Sequence, residues 1–361
     1  MKLTLQMQLL PTPEQDTLLL DTMRAFNAAA SFAARLAFDA GVFSTPSIHK
    51  LAYYEIRKRF WLGAQLAVRA IGKTAECFAR DKTVCPVFRP DGAISYDERN
   101  MSFKGLDKVS LSTIAGRQII SIVYGEYQAE RFDRLKGQCD LVRRDGKFFL
   151  YCTIDLAEPP PGEVKAFLGI DLGIVNIATD SEGTAYTGEK VQRNRRRRAT
   201  ARKKYQRVGT KSAKRRLKCM SGKQRRFQAH ENHCISKKIV ASAKALQVGI
   251  AVEDLTFIRD RVEATVSRKF RRMFGNWGFS QLREFVTYKA RLAGVQLVLV
   301  DPRNTSRTCS ECGHCEKANR KSQAVFLCKQ CGHSENADLN AAKNISSLGL
   351  LCKPAPKVAV A

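Results

Sequence analysis

Residues 2–9 alternate strictly, Leu3, Leu5, Met7 and Leu9 against Lys2, Thr4, Gln6 and Gln8, which is the period of a half-buried strand. The period then lengthens. Thr12 offers an N-cap, Pro13 a first helical position and Gln15 the reciprocal capping partner. Leu19, Met23, Phe26, Ala30, Ala33 and Phe38 follow near one helical face. More helix is predicted from about Ile48 to Lys82, carrying Arg57, Lys58, Arg59, Arg69, Lys73 and Arg80 as a solvated face or a face for a phosphate backbone. From Val87 to Leu156 the pattern reads as short strands. Arg117 to Tyr124 is β-rich, and Leu141 to Ile154 reads as a hairpin closed by Asp145-Gly146. With helices falling between the first strand and these later ones, the first strand is expected to join their sheet or barrel. Glu158-Pro159-Pro160-Pro161-Gly162 is a stiff linker and the clearest boundary in the chain.

Beyond it, Phe167 to Asp171 reads as a buried strand that meets an acid and a glycine, then returns through an apolar segment to Asp180. Residues 190–226 hold eighteen Lys or Arg and no acid, a block that cannot pack as a core. Lying between predicted strands rather than at a terminus, it is expected to form paired helices along a phosphate backbone, ordered mainly by nucleic acid. Arg195, Arg196, Arg197, Arg198, Lys211, Lys214, Arg215 and Arg216 are its candidate contacts. Helix resumes at Ile235 to Leu246. Strands are predicted at Val248 to Val252, ending in Glu253-Asp254, and at Val295 to Val300, with a helix from Arg271 to Ala293 in which Trp277 and Phe279 act as packing anchors.

Cysteine spacing adds a metal. Cys309-x-x-Cys312 and Cys328-x-x-Cys331 are separated by fifteen residues, and two such knuckles complete a tetrahedral thiolate shell for a structural Zn2+. Gly313 and Gly332 follow the knuckles where the chain turns back. Cys315, His314 and His333 are read as bystanders. The single cysteines Cys77, Cys85, Cys139, Cys152, Cys219 and Cys234 are read as small core hydrophobes in a reducing cytosol.

The formal charge of +28 at a pI near 9.9 exceeds what solubility needs and favours a polyanionic partner, nucleic acid before membrane. With no apolar run of membrane length and no signal pattern at the start, a soluble intracellular protein is expected. Three acids then stand out: Asp171 in a core strand, Glu253 ending another, and Asp338 opening a helix. Clustered carboxylates repel one another, and Mg2+, a hard cation that keeps its waters, relieves that; two such ions about 4 Å apart suit phosphodiester hydrolysis. Asp180, Asp254 and Asp301 satisfy the same reasoning, so residue physics alone leaves the choice of three open.

Gly169-Ile170-Asp171-Leu172-Gly173, Val252-Glu253-Asp254-Leu255, Thr305-Ser306-x-x-Cys309-Ser310-x-Cys312-Gly313 and Asp338-Leu339-Asn340-Ala341-Ala342-x-Asn344-Ile345 resemble the motifs of TnpB. This is the transposon-encoded, OrfB-type family of RuvC nucleases, ancestral to the type V CRISPR effectors. The opening Leu9 to Gln15, Gly209 to Arg216, Asn232-His233 with Ile235 to Lys237, and Trp277 to Ala290 fit the same family, so the likeness covers nearly the whole chain. It implies an α/β and α+β multidomain protein with a β-barrel wedge in residues 1–10 and 85–160, interrupted by a helical recognition lobe in 11–84. An RNase H-like RuvC domain would span 163–304, with a basic helical segment at 190–230. An inserted zinc ribbon would follow at 305–335, a RuvC helix at 336–352 and a disordered tail at 353–361. The resemblance further implies Asp171, Glu253 and Asp338 as ligands of two catalytic Mg2+, with Mn2+ as a substitute, and Cys309, Cys312, Cys328 and Cys331 as the zinc site. The function it implies is RNA-guided DNA endonuclease, using a noncoding guide RNA against double-stranded DNA beside a short motif. A monomer in the prokaryotic cytoplasm, at the nucleoid, is expected. The alternatives are a guided DNA-binding repressor that does not cut and a transposase or its accessory protein.

Overall fold

The computed structural model describes residues 1–173, 175–255 and 279–352. Its contacts divide the chain into two units, Met1–Leu156 and Ala157–Ala361. In the first, strand β1 (Lys2–Leu10) is followed by helices α1 (Pro13–Asp39), α2 (Thr45–Phe60) and α3 (Ala64–Arg80). Strands β2 (Ile94–Tyr96), β3 (Met101–Lys104), β4 (Lys108–Thr113), β5 (Gly116–Val123), β6 (Leu135–Arg144) and β7 (Lys147–Asp155) come next, with a short helix α4 (Glu126–Ala129) before β6. Thr12 and Gln15 close the capping box expected of them. Asp145 and Gly146 both take positive φ, 50° and 77°, which is what a two-residue turn matched to strand twist requires. β1 lies between β7 and β5 in an antiparallel seven-stranded sheet ordered β2-β6-β7-β1-β5-β4-β3, so the early strand joins the later ones. The sheet nearly closes: Ser112 of β4 donates its N–H to Asn100 O, and the Tyr96 hydroxyl on the opposite edge strand donates to Ser112 O.

One cation of the helices departs from both expected roles. Lys73 is neither solvated nor free for phosphate; its Nζ donates to Asn27 Oδ1 at 2.7 Å and Ala93 O at 2.6 Å, and burial lowers its pKa.

The second unit is built on a five-stranded sheet, β8 (Phe167–Asp171), β9 (Asn176–Asp180), β10 (Ala185–Thr187), β11 (Gly249–Glu253) and β12 (Leu297–Val300), in the order β10-β9-β8-β11-β12. β8, β9 and β10 form an antiparallel meander, while β11 and β12 run parallel to β8. That order and those directions are the RNase H-like arrangement. Helices α5 (Glu189–Val208) and α6 (Lys211–Ala245) form a hairpin between β10 and β11. The segment expected to resume as helix at Ile235 is the end of α6, which runs unbroken through 35 residues. Helix α7 (Phe279–Ala293) precedes β12; Phe279 is buried in the core as an anchor, whereas Trp277 lies outside the described residues, as does the 353–361 tail. Two short strands, β13 (Val325–Leu327) and β14 (Ser334–Asn336), belong to the cysteine ribbon, and α8 (Ala337–Gly349) closes the unit.

Glycine lets α8 lie on the sheet. An ideal Cβ on Gly169 would sit 2.0 Å from Ala342 O and 2.5 Å from Ser346 N, both backbone atoms of α8. Ala341 and Ala342 on the helix are themselves fully buried. Among the single cysteines, Cys139 and Cys152 are buried as expected and Cys77 and Cys85 are half-buried, but Cys219 and Cys234 are exposed on α6; Cys219 lies on a stretch of the helix with no buried residue, and Cys234 on the side turned away from the buried Ser236, Ile239 and Ala243. No helix among the described residues is long and apolar enough to cross a membrane.

Candidate active site

The carboxyl ends of β8 and β11 and the first turn of α8 meet at one place. Ile170 pairs with Val252 across the parallel strands, so the next residues, Asp171 and Glu253, end adjacent strands side by side. Asp171 is therefore the last residue of its strand rather than an interruption within it. Asp338 arrives from α8, whose N-cap Asn336 accepts the N–H groups of Asp338 at 2.9 Å and Leu339 at 3.2 Å. Glu253 and Asp338 are 7% and 8% exposed, a costly place for carboxylates without a compensating charge.

The electrostatics agree with that placement. Burial pushes Asp171 well above the usual carboxylate range, and the charges of Glu253 and Asp338 push it further. Burial likewise raises Glu253, against a hydrogen bond from Thr305 and the charge of Arg320. The three acids are thus coupled in space, each from a different element. Thr305 Oγ1 donates to Glu253 Oε1 at 2.6 Å, and Asn176 Nδ2 donates to Asp338 Oδ2 at 3.1 Å, fixing two of the three carboxylates.

The rival acids are already engaged. Asp180 Oδ1 accepts the N–H groups of Glu182 and Thr184, and its Oδ2 accepts the Tyr186 hydroxyl, so it organises a turn. Asp254 pairs with Arg283 and Asp301 with Arg303, each at 2.8 Å.

Sequence reasoning missed Arg320. Its Nη2 lies 3.8 Å from Asp338 Oδ1, and it is the described cation that lowers both Asp171 and Glu253. It follows Asn319, whose fully buried amide donates to Arg307 O and His314 O and accepts the Lys329 N–H. One buried asparagine therefore ties the ribbon's segments together and aims the next residue at the acids. Nothing in the local pattern distinguishes Arg320 from its basic neighbours.

The roles of Asn340 and Asn344 were also not evident from the motif that contains them. One turn apart on α8, Asn340 exchanges hydrogen bonds with Thr308 O and Ser310 N, and Asn344 donates to Thr305 O and Thr308 O. They hold the turn segment that leads into the first cysteine knuckle. Their i, i+4 spacing, which puts both amides on one helix face, was the available signal.

In the ribbon, the sulfur atoms of Cys309, Cys312, Cys328 and Cys331 all lie within 4.8 Å of one another, the set of three or more donors meeting that spacing among the described residues. Cys309 Sγ is 3.7 Å from Cys331 Sγ and Cys312 Sγ is 3.6 Å from Cys328 Sγ. Tetrahedral thiolates at the Zn–S distance of about 2.3 Å would be separated by roughly 3.8 Å, so the donor set fits zinc. The knuckles are near-copies: Cys309 N–H donates to His314 O and Cys328 N–H to His333 O, with Gly313 and Gly332 both at φ 74°. Backbone N–H groups of Cys331 and Gln330 aimed at the Cys328 sulfur lower its pKa and favour the thiolate, while the crowding of sulfurs raises Cys312 and Cys331, a repulsion that a bound cation would relieve.

The hairpin divides the predicted basic contacts. Arg195 Nη2 donates to Gln228 at 3.0 Å, and Arg198 binds Asn194 and Met220 O. These two arginines hold α5 to α6. Arg196, Arg197, Lys211, Lys214, Arg215 and Arg216 are exposed.

Two family models match the chain: OrfB_IS605, described as a probable transposase, over residues 149–258, and the Cas12f1-like TNB domain over residues 279–345. The CRISPR-associated endodeoxyribonuclease Cas12f1 of Sulfoacidibacillus thermotolerans is 32% identical over 252 residues, 64% of this chain and 56% of its own. Cas12f2 of a Micrarchaeota archaeon is 32% identical over 254 residues, 62% of this chain and 46% of its own. The TnpB-like protein MJ0751 of Methanocaldococcus jannaschii is 40% identical over 93 residues, 26% of this chain and 33% of its own. The chain spans about half the length or less of these relatives. Ordered motifs, family models and relatives agree in what the second unit is similar to: the OrfB-type, or TnpB, proteins and the Cas12f endodeoxyribonucleases.

Proposed function

We propose that this chain is an RNA-guided DNA endonuclease that hydrolyses phosphodiester bonds at Asp171, Glu253 and Asp338. The observation that carries the reading is the meeting of three carboxylates from three elements at the end of an RNase H-like sheet, two of them with raised pKa. Such a cluster is stabilised by divalent cations, and Mg2+ is the first candidate because every donor is a hard oxygen. When bound, a pair of such ions would activate water and stabilise a leaving oxygen. The chain's own residues do the positioning: Thr305 orients Glu253, Asn176 orients Asp338, and Arg320 presents a guanidinium suited to a phosphate oxygen beside the acids. The four cysteines hold a structural Zn2+, leaving no protein-free position for chemistry there.

The endodeoxyribonuclease activity in the names of two relatives, together with a formal charge of +28, supports a nucleic-acid partner, which this reading takes as a noncoding guide RNA and a double-stranded DNA target beside a short motif. In this reading the first unit provides the wedge barrel and the helical recognition lobe, and a single copy of the chain acts on its guide. The test is cleavage of a supercoiled plasmid by protein purified with its copurifying RNA. Wild type is expected to linearise the plasmid only with divalent metal, and Asp171→Asn to leave it uncut while retaining the RNA. A wild-type protein that binds target without cutting would make the chain a guided repressor, and undiminished cutting by Asp171→Asn would remove that acid from the reaction.

A further inference from the structure

With Arg195 and Arg198 committed to the hairpin, other cations stay exposed. Lys190, Arg193 and Arg197 on α5 and Lys223 on α6 are solvent-facing and enter no ion pair among the described residues. They rim a cavity of about 570 Å³ floored by Met220 and Phe227. A second cavity, of about 550 Å³, lies at the hairpin tip with Tyr205 and Val208 beside Arg215 and Arg216. The α5 positions of the first cavity, 190, 193, 197 and 201, step onward by three or four residues to 204, 205 and 208 of the second. On α6 the positions 216, 219, 220, 223 and 227 do the same. At i, i+3 and i, i+4 spacing these share one helix face, so the two cavities continue each other along the seam between α5 and α6.

We propose that this seam is a seat for a single-stranded polynucleotide, with phosphates against Lys190, Arg193, Arg197 and Lys223 and bases turned toward Phe227, Met220 and, at the tip, Tyr205. Along α5, Lys190, Arg193 and Arg197 rise in steps of about 4.5 and 6 Å, on the scale of successive phosphates in an extended strand. Cations at the rim above an apolar, partly aromatic floor are what an unpaired strand fits, because only unpaired bases expose faces for stacking. A duplex would bring phosphates to the rim and leave the floor against water. The seat deepens the nucleic-acid reading above and rests on it.

The test uses the full chain in EDTA, so that cleavage plays no part. Fluorescence anisotropy follows binding of labelled oligo-dT and oligo-U of about ten nucleotides, and of a blunt duplex of equal phosphate count. The seam variant carries Arg193→Ala, Arg197→Ala and Lys223→Ala. The control carries Arg202→Ala, Lys203→Ala and Arg207→Ala, the same charge change at exposed positions outside both cavities. The seam variant is expected to bind single strands at least tenfold more weakly than wild type and to lose about 2 from the slope of log K against log salt, since each single-strand contact contributes about 0.7. The control is expected to change affinity less than threefold. A larger loss on oligo-U assigns the seat to RNA, and on oligo-dT to DNA; either supports it. Equal losses in the two variants, or a greater loss for duplex than for single strands, overturn the seat. A wild type that binds none of the probes would instead sink the nucleic-acid reading itself.

Discussion

Gly169→Ala is the sharpest test of how the acids are brought together. The added Cβ would lie 2.0 Å from Ala342 O, 2.5 Å from Ser346 N and 3.0 Å from Ser346 Cα. Ordinary contact begins near 3.4 Å, so α8 must withdraw from β8 by about 1.4 Å along that contact, the difference between the two distances. No side chain can yield instead, because the obstructing atoms are helix backbone. Asp338 rides on the first turn of the same helix and would withdraw with it, while Asp171, two residues after Gly169 on the strand, would not. Overpacking of this kind costs about 1–3 kcal/mol. The bond from Ser346 Oγ to Phe167 O, at 2.5 Å, would be stretched as well, at a further cost of about 1 kcal/mol. For a unit of this size that lowers Tm by roughly 4–16 °C. Activity should fall further than stability, since misplacing catalytic groups by about 1 Å costs on the order of 100-fold. Thermal melts and single-turnover plasmid cleavage, measured well below the variant's Tm, separate the two effects. Gly72→Ala is the control: it sits within α3 with nothing inside 4 Å, so the methyl should be neutral or stabilise by up to about 1 kcal/mol. A Gly169→Ala protein that melts and cleaves like wild type would refute the close-packed account of the site.

Other outcomes follow from the same geometry. In EDTA, Asp171→Asn should be more stable than wild type at neutral pH. A carboxylate whose folded pKa is raised binds its proton more tightly when folded, so its penalty is absent below the ordinary value of about 4 and grows as pH rises toward the folded pKa. Denaturant melts of both proteins from acid to neutral pH should therefore diverge upward, and parallel curves would show that burial and repulsion at Asp171 are not being felt. Cys309→Ser should release a bound zinc, seen by metal analysis, and lose cleavage because Asn319 and Arg320 lose their frame; full cutting without zinc would contradict this. Asn344→Ala takes its side-chain donor from Thr305 O and one of the two amides from Thr308 O, which keeps Asn340, and should cost about 1–3 kcal/mol, readable as a lowered denaturation midpoint with an unchanged slope.

How much of this was legible varied with how local the cause is. Capping by Thr12 and Gln15 and the Asp145-Gly146 turn depend on four or five consecutive residues, and they appear where the pattern put them. Asp171 and Glu253 were visible because each ends an apolar run, where a charge is conspicuous. Asp180, Asp254 and Asp301 looked the same, however, because folding decides their partners: it brings the Tyr186 hydroxyl and Arg283 to the first two and turns Arg303, two residues on, back to Asp301. Arg195 and Arg198 could have been separated from Arg196 and Arg197. They stand four and seven residues after Val191, the buried apolar residue of α5, and so share its inward face. Arg320 had no such signal, since its importance arises only when the ribbon folds back on the sheet.

That last dependence argues that the ribbon and the carboxylates form one mechanical object. α8 contributes Asp338 to the acids and, through Asn340 and Asn344, grips the segment entering the first cysteine knuckle. The same segment supplies Thr305 to Glu253, and the loop between the knuckles supplies Arg320 to Asp338. Three routes thus lead from the thiolates to the acids, and each acid in contact with the ribbon's segments is reached through a buried hydrogen bond or an ion pair. A metal that fixes the knuckles therefore fixes the orientation of Glu253 and the charge beside Asp338. Loss of zinc should be felt first in the alignment of the acids, before the sheet beneath them gives way, because β8 and β11 are held by their own ladder.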